Sequence, residues 1–83
     1  MEKIIIDLEV PAISTRYDVM VNPEMEVGIL TQLLCKVVEE ASNHDYVPSG
    51  DEILCSVDPQ RVLKREEKLC RYGIGKGDRV MML

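Results

Sequence analysis

The stretch "YGIGKGDRVMML", residues 72–83, decides the fold, because its glycines at 73, 75 and 77 either cradle a phosphate or turn the chain into a strand. A dinucleotide-binding loop requires its third glycine where Asp78 stands, and it must open a helix after a strand. A Walker A loop requires glycine at Cys70 and serine or threonine at Gly77, again leading into a helix. After Asp78 the chain reads "RVMML", which alternates as a strand does. Gly73 and Gly77 are therefore read as supplying positive φ in two tight turns. Gly-Asp then sets the register of a strand over 79–83.

Working outward, residues 53–57 read as another strand, and Val62 and Leu63 begin a short return strand. Asp58 and Pro59 between them suit the first two positions of a type I turn. "KREEKL" is a charged connection, and "NHDYVPSGDE" a polar surface loop. Residues 22–43 change period: Val27, Leu30, Leu34, Val37, Val38 and Ala41 recur at helical steps, with Ile29 and Leu33 widening the stripe. The helix start is open between an Asn22-Pro23 cap and Glu26. Residues 3–10 alternate with Ile4, Ile6, Leu8 and Val10 aligned, and 16–22 alternate with Tyr17, Val19 and Val21 aligned. These two strands form a hairpin through "PAIST".

A hairpin, one long helix and further strands specify an α+β layer, with the first and last strands parallel at the centre and the helix in the crossover. This is a β-grasp: a mixed four- to five-stranded sheet with one helix across one face, in a single domain over 1–83. Its expected core is Ile4, Ile6, Leu8, Tyr17, Val19, Val21, Val27, Leu30, Leu34, Val37, Leu63, Leu69, Ile74, Val80 and Met82. Tyr72 is expected to pack under the short strand, with its hydroxyl on the backbone of residues 64–67.

Composition narrows the function. Eighty-three residues with 46% apolar content suit one small domain, a size that favours a binding surface over a walled substrate pocket. The net charge of −5 argues against nucleic acid as a partner. Charge is unevenly spread, −9 over residues 1–60 and +4 over 61–79, which permits self-association. No run approaches the ~20 apolar residues of a membrane span, so direct membrane insertion is not expected. Cys35, Cys55 and Cys70 are too widely spaced for a metal knuckle or an iron–sulfur site, and are read as reduced thiols in a cytoplasmic protein. Cys35 and Cys70 are assigned to packing. His44 sits in a polar loop with no orienting partner, so no catalytic, cofactor-binding or metal-binding residue is assigned and the chain is read as a non-enzyme.

"KIIIDLEV", "YDVMV" and "KL" followed by "YGIGKGDRVMML" resemble the YukD/EsaB family of small bacterial ubiquitin-like proteins associated with type VII secretion. The likeness covers most of the chain outside residues 43–52. It implies a ubiquitin-like fold and an accessory or regulatory role, exercised by docking on cytosolic parts of the secretion machinery. Ubiquitin-like carriers and modifiers react through a flexible Gly-Gly tail, whereas here Leu83 is expected to close the last strand, so docking is read as noncovalent. A carrier or modifier protein and a self-associating scaffold are the alternatives. The expected partner-binding residues are Ile5, Val57, Arg61, Arg79, Met81 and Leu83 on the sheet face away from the helix. An apolar count would bury Ile53, Cys55 and Val57, but the likeness to ubiquitin turns Val57 outward beside Leu83. That choice leaves Cys55 outward too, reactive to a thiol reagent, and makes Arg61 and Arg79 the flanks of the patch.

Overall fold

Alternation in the first strand carries through to three dimensions: β1 (Ile4–Val10) buries Ile6, Leu8 and Val10 and turns Asp7 and Glu9 to the opposite face. The computed structural model describes residues 3–83. β1 pairs antiparallel with β2 (Thr15–Val21), and α1 (Val27–Ala41) comes next. Then come β3 (Leu54–Val57), β4 (Gln60–Val62) and β5 (Arg79–Met82). The sheet order is β2-β1-β5-β3-β4, with β1 and β5 parallel at the centre and the other pairs antiparallel. The fold is the expected β-grasp, with five strands.

The helix buries Val27, Leu30, Thr31, Leu34, Cys35 and Val38. Thr31 can join this face because its hydroxyl donates to the Val27 carbonyl at 2.7 Å. Val37 is corrected: it belongs to a second row with Ile29 and Leu33, and is 45% exposed. Apolar character extends further round the helix than the sheet can cover, so the stripe alone could not fix the buried arc. Glu26 is the residue before the helix and offers no side-chain cap. Instead the Val27 and Gly28 amides donate to the carbonyls of Glu67 (2.8 Å) and Arg65 (2.9 Å). The charged connection after β4 thus satisfies helix donors that a side-chain cap would otherwise take. Gly28 permits this approach, since a Cβ there would lie 3.2 Å from the Arg65 carbonyl oxygen.

Residues 43–52 depart from a plain surface loop, because Tyr46 and Glu52 are buried. The Glu52 carboxylate accepts from the Tyr46 hydroxyl (2.7 Å) and from the amides of Ser49 (2.7 Å) and Gly50 (3.0 Å). Burial pushes the Glu52 carboxyl up, but these bonds outweigh it and hold the group at about 2. Burial, then the Glu52 charge, pushes the neighbouring Cys35 thiol up to about 11.

The turns behave as read from the glycines. Gly73 and Gly77 take φ of 69° and 81°. The Asp78 carboxylate accepts from the Gly75 amide at 2.8 Å, which closes the turn into β5. Tyr72 also stands as expected, its hydroxyl accepting from the Lys64 amide at 2.8 Å. Val57 pairs with Gln60, so Asp58 and Pro59 are the second and third residues of the turn and not the first two, which corrects the type I reading.

Candidate docking surface

The candidate surface is the sheet face opposite α1, and its pattern is set by register. Cys55 lies opposite Met81 on one side and Val62 on the other, while Met81 lies beside Glu9. One pair further along, Leu83 and Ile53 exchange both backbone bonds, at 2.9 and 3.0 Å. Ile53, Cys55, Val62, Met81 and Leu83 therefore form one apolar area over β3, β4 and β5. Ile53 is 39%, Val62 58% and Leu83 54% exposed.

The other half of this face is mixed: an ion-pair cluster gathers about Asp7, and beyond it the exposed Ile5 and Met20 pair with each other. Asp7 on β1 bonds Arg16 of β2 through both carboxylate oxygens and lies 3.5 Å from the Arg79 guanidinium. The hydrogen bond from Arg16 leads in lowering the Asp7 carboxyl below its usual range, assisted by the charges of Arg16 and Arg79. The cluster spans β1, β2 and the first residue of β5.

Several expected residues occupy other places. Val57 faces outward as read, but beside Arg79; Leu83 is beside Ile53, because β3 runs antiparallel to β5 in the register Leu54↔Met82. Ile5 pairs with Met20 and bonds Gly77 at the far end of the face, apart from Leu83. Arg61 is opposite the inward-facing Ser56, so it projects on the helix side, where its guanidinium stands 5.3 Å from the Tyr72 ring centroid. Arg79 lies at the boundary but is engaged with Asp7. The expected patch thus divides, with Met81 and Leu83 within the apolar area and Ile5, Arg61 and Arg79 outside it.

Ile53 and Val62 were not singled out by sequence reasoning. Three apolar residues in a row, 53–55, conceal the parity of β3, and its polar residue, Ser56, is the one that turns inward. The Ser56 hydroxyl donates to the Pro59 carbonyl at 2.6 Å, which makes its burial tolerable. Cys55 is outward but only 9% exposed, so the expected reactivity is corrected: its neighbours Met81 and Val62 cover it. Cys70 is exposed instead of packed, with its thiol 3.1 Å from the Glu24 carboxylate. No helix among the described residues is long and apolar enough to cross a membrane.

No protein-family model and no curated protein matches the sequence. Solved structures do match in shape. The EccD5 ubiquitin-like domain from Mycobacterium xenopi is 16% identical, with a TM-score of 0.81, covering all of this chain and 94% of its own. The ubiquitin of Caldiarchaeum subterraneum is 20% identical, with a TM-score of 0.72 over 98% of this chain and 91% of its own. A chain of the MycP5-free ESX-5 inner membrane complex is 18% identical, with a TM-score of 0.80; the match covers all of this chain but 21% of that one. At these identities the likeness concerns fold, and the fold is ubiquitin-like.

Proposed function

We propose that this chain is a noncovalent protein–protein interaction module, serving as an accessory or regulatory component of a bacterial type VII secretion system in the cytoplasm. It docks by the apolar half of its outer sheet face on a cytosolic part of the secretion machinery. The observation that carries the reading is the grouping of Ile53, Val62, Met81 and Leu83 on neighbouring strands of that face, apart from the ion pairs about Asp7. A contiguous apolar area of this kind marks an interface more often than scattered apolar side chains do. The pathway is supported by the sequence resemblance to YukD/EsaB and by the fold shared with the EccD5 domain and with part of an inner membrane complex.

The test is a pull-down from the native organism with the wild-type chain, followed by direct binding of the protein captured. Met81→Asp and Ile53→Asp are expected to abolish binding while leaving the thermal unfolding cooperative. Val57→Asp is a weaker probe, because the new carboxylate would face Arg79.

A further inference from the structure

Among the described residues β2 lies at one edge of the sheet, so one of its two rows of backbone groups has no strand of this chain beside it. The hydrogen bonds identify that row. The Ile5 carbonyl accepts from Gly77 (2.7 Å) and the Asp7 amide donates to Asp78 (2.9 Å), so both residues are bonded toward β5. Adjacent residues of a strand point their N–H and C=O groups to opposite sides. Ile4, Ile6 and Leu8 therefore bond toward β2, where they pair with Val21, Val19 and Tyr17. The N–H and C=O groups of Arg16, Asp18 and Met20 are directed out of the edge.

Beside this edge a trough of about 340 Å³ runs between β2 and α1. Val21, Leu30 and Leu34 form its floor, and Val19 of β2 faces Leu33 and Val37 of α1 across it. Leu33 and Val37 are the helix residues that the sheet leaves about half exposed. Lys3 and Lys36 stand at the rim against one acid, Glu40, which makes the rim positive on a chain of net charge −5.

We propose that this edge accepts an extended segment of a partner protein as a sixth strand. Its backbone bonds Arg16, Asp18 and Met20, alternate apolar side chains enter the trough, and an acidic residue at one end meets Lys3 or Lys36. Strand addition to an open edge draws affinity from the main chain and specificity from adjoining pockets, and both are present here. A second copy is the poorer occupant. Its own β2 has Tyr17, Val19 and Val21 packed on its own core, and two chains of like net charge repel. The inference is independent of the outer docking face, whose apolar half lies toward the opposite edge.

The probe is a short synthetic peptide, blocked at both ends, with isoleucine, valine and leucine at alternate positions, threonine between them and an aspartate at each end. It is titrated into isotope-labelled protein and followed by amide exchange and methyl shifts. Exchange should slow at Arg16, Asp18 and Met20, and the methyls of Leu33 and Val37 should shift. Val37→Asp should weaken binding by about tenfold or more, and so should Asp18→Pro, which removes an outward donor at an edge position where proline is tolerated. Met81→Asp should bind the peptide as wild type does, which separates this site from the outer face. Absence of binding at millimolar peptide overturns the proposal, as do shifts centred on Met81 and Leu83. Edge protection that rises with protein concentration without peptide, together with a doubled mass, assigns the edge to a second copy and overturns it equally.

Discussion

Glu52 shows how much one side chain can fix in a loop that looks merely polar. Its carboxyl ionises near 2 instead of its ordinary 4.5, so the folded pKa is the lower one. The stabilisation is complete above about pH 4.5 and is lost as pH falls toward 2. Its full size is on the order of 3 kcal/mol. From about pH 5 down to about pH 2, thermal stability should fall less steeply in Glu52→Gln than in wild type. Parallel curves would remove Glu52 from this role. Tyr46→Phe should cost about 1–3 kcal/mol in chemical denaturation, since a carboxylate loses its hydroxyl donor. Thiol labelling offers a second check at this scale. Of the three cysteines only Cys70 is exposed, so it should react first in the native state, slowed by the Glu24 carboxylate that holds its thiol above the usual range, and the other two only as the chain opens. Rapid reaction of Cys55 would contradict the cover given by Met81 and Val62. None of these contacts was legible in the sequence, because "NHDYVPSGDE" has the composition of solvent-facing loops and its two buried residues are satisfied only by one another's geometry and by local amides.

Elements were read with more success than their faces. Strands β1 and β2 announce themselves by two-residue alternation, and Gly73 and Gly77 are where positive φ is needed. The parity of β3 and the rotation of α1 escaped for a shared reason: apolar residues continue past the buried set, through Ile53-Leu54-Cys55 and through Ile29, Leu33 and Val37. Burial there is decided by register, which hydrogen bonds specify and hydrophobicity does not. Mutants distinguish the two helix rows. Leu34→Ala should cost about 2–5 kcal/mol, a severe loss for a domain whose total stability is about 5–15. Val37→Ala, at a half-exposed position, should cost well under that, and comparable losses for both would reject the assigned face. The start of the helix was ambiguous in sequence because its cap is supplied from residues 65 and 67, far away along the chain.

At the scale of the whole molecule, the ubiquitin-like architecture was legible and the candidate docking surface was legible only in part. Met81 and Leu83 are given by alternation in β5. Ile53 and Val62 require the β3–β5 and β3–β4 registers, and the removal of Arg61 to the other face requires knowing that Ser56 points inward. The imbalance of charge along the chain is partly offset in space: Arg79 of the basic stretch reaches Asp7 of the acidic part, and Arg71 pairs with Glu67 at 3.2 Å. The most direct measurement is the affinity of the protein captured in the pull-down for wild type, Met81→Asp and Ile53→Asp, each verified as folded. The account predicts that both aspartates abolish binding; wild-type affinity in both folded variants would contradict it.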